Sequence, residues 1–265
     1  MRNMRLMSIA SGSGGNAVYV GNDDTHILID AGVSRKRISE GLKRAGLSAA
    51  DLDAILVTHE HADHIKGLKV LEKTWQIPVF ATNGTISGIK DSIVDTGFDH
   101  IFNVIERDAS FMINDLNITA LSVSHDAREP VCFRIDDGNA SCGVITDLGC
   151  FDRKIIDGFQ GLDAVLAESN HDIRMLESGP YPYPLKRRIA GNTGHLSNES
   201  SGRLISELLN DHMQYIILGH LSRKNNYDEL ALLTVENIIN ESRYRSEDFR
   251  IDVAGQDDGT DIYEF

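Results

Sequence analysis

The sequence predicts an α/β protein built from two β-sheets with helices covering their outer faces. Three observations carry this. Short apolar runs alternate with stretches of helical periodicity along the chain. A mostly β middle section, Phe111 to Ile145, is flanked on both sides by segments that mix strands and helices. No Pro/Ser/Gly linker and no fixed-period repeat divides the 265 residues, so positions 1–265 read as one domain.

Leu6 to Ala10, Ala17 to Val20 and His26 to Ile29 are apolar runs separated by Gly-rich or Asn-Asp turns, and read as successive strands. Ser34 is placed to cap a helix whose Ile38 and Leu42 share a face, and Gly46 stands where it should stop. Ala54 to Val57 is a short buried strand. Leu68, Leu71 and Trp75 form a helical stripe that ends before Pro78. Phe111 to Ile113, Leu116 to Val123, Val131 to Ile135 and Ser141 to Ile145 are strands, with a hairpin turn at Asp136 to Asn139. Ala164 to Leu166, Tyr215 to Leu218 and Phe249 to Val253 follow as strands. Ser197 opens a helix carrying Leu204, Ile205, Leu208 and Leu209. Asp228 to Glu241 forms another, with Leu230, Leu233 and Ile238 among its apolar positions.

Composition narrows the function. Hydrophobic residues make up 41% and charged residues 25%, enough for a sizeable core and against wholesale disorder. Lys and Arg number 26 against 40 Asp and Glu, a formal charge of −14, which excludes a general polyanion-coating protein. A phosphate would need a local cationic site. No apolar run approaches the roughly 20 residues of a membrane helix, so no membrane association is expected. Met1 to Ser8 is too short and polar for a signal peptide. Three cysteines, an odd number, argue for a reducing compartment, and the cytoplasm is the expected location.

One segment dominates the chemistry: Thr58-His59-Glu60-His61-Ala62-Asp63-His64, directly after the strand Ala54 to Val57. Residues i and i+2 of an extended chain point the same way, so His59 and His61 can hold one ion together. Asp63 and His64 lie where the chain turns into a helix and can face a second ion. Imidazole with carboxylate suits zinc, manganese, iron or cobalt, and the lack of thiolate argues against a closed structural zinc site. A polar loop rich in His by chance is the competing explanation, and four such residues in six positions weigh against it. His125, Asp147 and His220 each follow a strand. Singly each would be a core-edge His or a turn-capping Asp. Together they place three more ligand-type residues where loops converge.

This order, H-x-H-x-D-H, then a lone His, a lone Asp and a final His, resembles the metallo-β-lactamase superfamily from Asp30 to His220. The resemblance implies a four-layer αββα sandwich with two divalent metal ions (zinc, manganese or iron) at the shared edge of its sheets. By position, His59, His61 and His125 correspond to ligands of the first ion and Asp63, His64 and His220 to those of the second. Asp147 corresponds to the bridging carboxylate and Asp30 to the early Asp that supports the ligands.

Fold and metals do not fix the substrate. Only 73 positions separate Asp147 from His220, too few for the capping domain of the β-CASP nucleases. Histidine at position 61 resembles the hydrolases more than the di-iron oxidoreductases. Glu168-Ser169-Asn170-His171 and Gly194-His195-Leu196-Ser197 partly resemble segments of ribonuclease Z, although Ala167 replaces its His and Leu196 is inserted. They make Glu168 and His195 a candidate proton-transfer pair, against a His195 bound only to backbone at a helix start. These segments, with Ser11 to Asn16, Ser124-His125-Asp126 and Thr146 to Gly149, resemble the WalJ/YycJ/VicX group. Membership implies a phosphodiesterase of the exonuclease type acting 5′ to 3′ on DNA, in a Gram-positive cytoplasm, linked to a cell-wall two-component signalling system.

The expected mechanism is attack of a metal-activated hydroxide on phosphorus, with Asp63 and Asp147 at the ions and His195 protonating the leaving oxygen. Asn16, Asn170 and His171 are candidate substrate contacts. So are Lys186, Arg187 and Arg188, which follow the turn-rich aromatic stretch Tyr181 to Pro184. Arg35 to Arg37 read as solvated surface. The alternatives are a thioester or lactone hydrolase of the glyoxalase kind, which does not require the Glu168 and His195 pair, and a metal-binding regulatory partner with little turnover. The oligomeric state is not legible.

Overall fold

The computed structural model describes residues 3–93 and 99–265. The first sheet holds β1 (Arg5–Ala10), β2 (Ala17–Gly21), β3 (His26–Ile29), β4 (Ala54–Leu56), β5 (Val79–Ala81) and β6 (Phe102–Val104). The second holds β7 (Ala109–Ile113), β8 (Leu116–Ser122), β9 (Val131–Asp136), β10 (Ser141–Ile145), β11 (Ala164–Glu168), β12 (Tyr215–Gly219) and β13 (Arg250–Val253). The last strand, β14 (Tyr263–Glu264), returns to the first sheet and pairs with β1. Strand order is 14-1-2-3-4-5-6 in one sheet and 13-12-11-10-9-8-7 in the other.

The strands are continuously apolar because both faces of each sheet are covered. Along β3, Ile27 and Ile29 face the interior between the sheets while Leu28 faces the outer helices. In β11, Ala164 and Leu166 point inward, and Val165 and Ala167 point outward. This period of two splits the chain into three apolar clusters and four layers. On the first sheet α1 (Arg35–Arg44), α3 (Leu68–Trp75) and α4 (Asn83–Ser92) bury Ile38, Leu42, Leu68, Leu71, Ile86 and Ile89; the one-turn α2 (Ala62–Ile65) precedes α3. On the second, α5 (Arg153–Gly158), α8 (Asn198–Leu208) and α9 (Asp228–Asn240) do the same through Ile155, Leu204 and Val235. Two short helices, α6 (Ile173–Ser178) and α7 (Tyr183–Ile189), lie between β11 and α8 in the chain. No helix among the described residues is long and apolar enough to cross a membrane.

The expected caps are present: Ser34 accepts from the Arg37 N–H, and Ser197 accepts from the Ser200 N–H. Elsewhere the structure differs from the sequence pattern. β5 and α4 had no signal, because a three-residue strand shows no period and α4 carries Gly84 and Gly88 in its interior. Gly88 is there for contact, since a Cβ would sit 2.4 Å from Glu60 Cγ. The Tyr181 to Pro184 stretch is a helix start rather than a turn: Pro184 occupies the first turn of α7, where its missing N–H costs nothing. The buried stripe of α9 is Ala231, Val235 and Ile239, leaving Leu233 exposed. The acidic C-terminal stretch is not merely solvated, because Asp257 pairs with Arg37 and Arg223 and Tyr263 pairs with β1.

Glu72 of α3 is an anomaly in this packing. It is 2% exposed, and neither carboxylate oxygen has a hydrogen-bond partner. Burial pushes its pKa up to about 8. The folded chain therefore holds a proton that the unfolded chain releases near the ordinary value of 4.5. Stability from this group is complete below that value and falls as pH rises toward 8. Glu72→Gln should remove the slope. We expect its melting midpoint to gain a few degrees over wild type between pH 5 and pH 8, on the order of 1 kcal/mol; parallel pH profiles would count against the assignment.

Candidate metal centre

The chemistry-bearing residues sit where strands end. β3 and β4 are parallel, as are β10, β11 and β12, so their C-terminal ends share one edge. Asp30 follows β3, His59 to His64 follow β4, His125 follows β8, Asp147 follows β10 and His220 follows β12. Three of them, Asp30, Asp147 and His220, take left-handed backbone with φ of 61°, 58° and 56°. Asp and His tolerate that region better than most residues, and there it turns the chain sharply at the strand end. The Gly-rich turn after β1 braces the same edge: a Cβ on Gly32 would lie 1.6 Å from the Asp63 carbonyl oxygen.

The residues converge. His59 Nε2 lies 3.1 Å from His61 Nδ1, and His125 Nε2 lies 3.3 Å from that same atom. His64 Nε2 is 3.2 Å from Asp147 Oδ2 and 3.9 Å from Asp63 Oδ2. His220 Nε2 is 3.9 Å from Asp63 Oδ2. Four sets have ligand atoms within 4.8 Å of one another: His59, His61 and His125; Asp63, His64 and His220; His59, His64 and Asp147; and Asp147 with Glu168, His195 and His220.

This donor set fits divalent metal ions. Asp147 Oδ2 and His220 Nε2 are buried with no hydrogen-bond partner, a costly arrangement for a protein without a cation there. Ring nitrogens 3.1 Å apart likewise repel unless a proton or metal lies between them. The surrounding groups prepare the donors. Asp30 Oδ2 accepts from His64 Nδ1 at 2.7 Å, and Asp30 Oδ1 accepts from the Thr58 N–H at 2.9 Å. Thr58 Oγ1 in turn lies 2.9 Å from His59 Nδ1. These partners leave the far ring nitrogens as lone pairs.

Electrostatics divides the imidazoles. Burial, reinforced by His64, pulls the His59 pKa well down, and burial lowers that of His125. Burial also opposes charge on His64 and His220, but Asp30 and Asp147 outweigh it at the first, and Asp147, Asp63 and Glu168 at the second. Against its own burial, Asp147 is held well below the carboxylate range by His220 and His64. Asp30→Asn is a direct test of the supporting shell. An amide in place of Oδ2 would present N–H to His64 Nδ1 and shift the ring proton to Nε2. We expect a 10- to 100-fold or so loss of metal affinity by chelator competition, with the fold unchanged.

A second pair adjoins the cluster. Glu168 Oε1 lies 2.7 Å from His195 Nδ1 and 2.8 Å from His220 Nδ1, so one carboxylate orients both rings. Its Oε2 accepts from the Leu148 and Leu196 N–H groups. Despite burial, His195 and His220 hold the Glu168 pKa at about 2, and Glu168 in turn raises that of His195. His195 faces a cavity of about 340 Å³ whose wall includes His61, Asp63, Asp147, His220, Asn170 and Arg188.

The other expected substrate contacts are placed differently. Asn16 is buried, accepts from the Gly12 N–H and directs its amide nitrogen at His64 Nε2, 3.0 Å away. His171 is buried behind Asn170, with Nδ1 at 3.3 Å from Asn170 Oδ1. Neither lines the cavity. The basic triplet splits: Lys186 donates to the Glu177 carbonyl, Arg187 lies over Tyr183, and only Arg188 reaches the cavity, where Nη2 donates to Asp126 Oδ1 at 3.0 Å. Sequence reasoning missed Ser11, whose Oγ accepts from the His220 N–H at 2.7 Å. It also missed Asp126, although that residue adjoins His125 in the chain.

Residues 25–216 match a family model described as the β-lactamase superfamily domain. This chain belongs to the metallo-β-lactamase superfamily. Among curated members it is 38% identical over 236 residues to exodeoxyribonuclease YycJ of Bacillus anthracis, covering 89% of each chain. It is 37% identical over 233 residues to exodeoxyribonuclease WalJ of Streptococcus pneumoniae serotype 2, covering 86% of each. In the fold, the metallo-β-lactamase fold protein YhfI from Bacillus subtilis superposes over all of both chains with a TM-score of 0.73 at 18% identity. The two mixed sheets and their outer helices are thus the superfamily's sandwich, with the His and Asp cluster at its edge.

Proposed function

We propose that this chain is a metal-dependent exodeoxyribonuclease that uses two divalent ions, zinc, manganese or iron. His59, His61 and His125 would hold one, Asp63, His64 and His220 the other, and Asp147 both. Such ions supply Lewis acidity toward a phosphoryl oxygen and an activated water at neutral pH. The remaining work falls to the chain. Glu168 fixes His195 through Nδ1, leaving the other ring nitrogen to give a proton to the leaving oxygen. Arg188, already on the cavity wall, can exchange its bond with Asp126 for a non-bridging phosphate oxygen.

The observation that carries the reading is the pairing of His195 with Glu168 at 2.7 Å in the cavity that Asp147 and His220 share. Acyl hydrolysis on the same ions does not require it. The names of the two curated relatives support DNA as substrate, and the family resemblance supports 5′-to-3′ polarity. The test is to incubate metal-loaded and chelated protein with end-labelled single- and double-stranded DNA and RNA. Metal-dependent shortening of DNA from its 5′ end is expected. Hydrolysis of thioesters with no nucleolysis would replace this reading by an acyl hydrolase.

A further inference from the structure

The cavity mouth carries aromatic rings that the proton-transfer and phosphate chemistry does not use. Tyr181 lines the cavity beside Arg188 and Leu185. Lys224, from the segment after His220, places Nζ 5.7 Å from the Tyr181 ring centroid. Two residues further along, at the start of α7, Tyr183 is 71% exposed, with the Arg187 guanidinium 6.0 Å from its ring centroid. A ring so exposed contributes little to folding, and Pro182 and Pro184 on either side stiffen the chain that presents it. Two aromatic faces, each with a cation over it, therefore flank the cavity of a chain whose net charge is −14.

Interleaved rings and cations are what an unpaired nucleic-acid strand binds: bases stack on the rings while the cations meet the phosphates. A duplex end is different. Its terminal base is paired and stacked within the helix and must leave that stack before a ring at the mouth can receive it. Resting on the nuclease reading above, we propose that Tyr181 and Tyr183 form a stacking platform for the unpaired bases next to the scissile phosphate, so that single-stranded ends are the preferred substrate. Lys224 and Arg187 keep the rings in place and neutralise the adjoining phosphates.

The test uses the full metal-loaded chain and compares kcat/KM on a single-stranded oligonucleotide with that on a blunt duplex of the same sequence. Wild type should favour the single strand by about 10-fold or more. The double variant Tyr181→Leu/Tyr183→Leu keeps apolar bulk but removes the π-faces, and should lower the single-strand value by about 10- to 100-fold, erasing the preference. Tyr181→Phe/Tyr183→Phe keeps the faces and should retain it. Tyr183→Leu alone, at an exposed position, should show part of the loss whatever the tolerance at Tyr181. Absence of a wild-type preference, or its persistence in the Leu variants, overturns the inference while the nuclease reading stands. A wild-type chain that cleaves no nucleic acid overturns the nuclease reading, and this platform with it.

Discussion

Asp147→Asn is expected to leave a folded protein that has lost nearly all turnover and at least one bound ion. Asp147 is buried, with Oδ2 facing His64 Nε2 at 3.2 Å and Oδ1 facing His195 and His220 Nδ1 at 3.6 Å each. It is the only residue shared by a ligand set with His59 and one with His220. Replacing it removes the negative charge from the middle of the cluster. Several kcal/mol of transition-state stabilisation depend on that charge through the ions it would hold, which is about 10³-fold in rate or more. Asn is the informative substitution. It has the same shape and accepts the left-handed φ of 58°, whereas Ala would add roughly 1–2 kcal/mol of backbone strain and confuse loss of metal with loss of structure. Elemental analysis beside circular dichroism separates the two. Full activity with unchanged metal content would remove Asp147 from the centre of the mechanism.

How far the site could be read from sequence follows from how locally it is encoded. His59, His61, Asp63 and His64 occupy six consecutive positions after a buried strand, so period-two geometry alone brings them together. His125, Asp147 and His220 are isolated letters, legible only because each ends an apolar run and because their order resembles a family. The supporting contacts were harder to see. Glu168 binds both His195 and His220, 27 and 52 positions away, and no spacing rule links those three. Ser11 reaches His220 across 209 positions through a chain turn that only the closed sandwich creates. The basic triplet was visible as charge, but helix periodicity then turns Arg188 to the cavity while Lys186 and Arg187 bond elsewhere. Burial decides the remaining cases: Asn16 and His171 have substrate-like chemistry, yet the folded chain has already used their polar atoms.

His195→Asn should reduce kcat on an oligonucleotide by roughly 10²- to 10⁴-fold with metal content intact. The argument rests on division of labour within the Glu168 triad. His220 Nδ1 and His195 Nδ1 share one carboxylate oxygen, but His220 Nε2 is buried among ligand atoms, while the His195 ring borders the cavity. One imidazole is thus positioned as a donor to metal and the other as a donor of protons. A proton donor matters in proportion to how poor the leaving group is, so the loss in His195→Asn should shrink on a nitrophenyl phosphodiester, whose leaving oxygen needs no proton. A metal ligand would cost both substrates equally and release an ion. The pH profile supplies a third readout. Burial opposes charge on His195 but Glu168 outweighs it and raises its pKa, so the protonated form persists to higher pH. Activity that needs this proton is present below the raised pKa and declines as pH climbs through it. Glu168→Gln takes away the carboxylate, lowers the His195 pKa and should move the alkaline limb to lower pH. A limb that stays in place in Glu168→Gln, or equal losses on both leaving groups in His195→Asn, would assign the proton to another group.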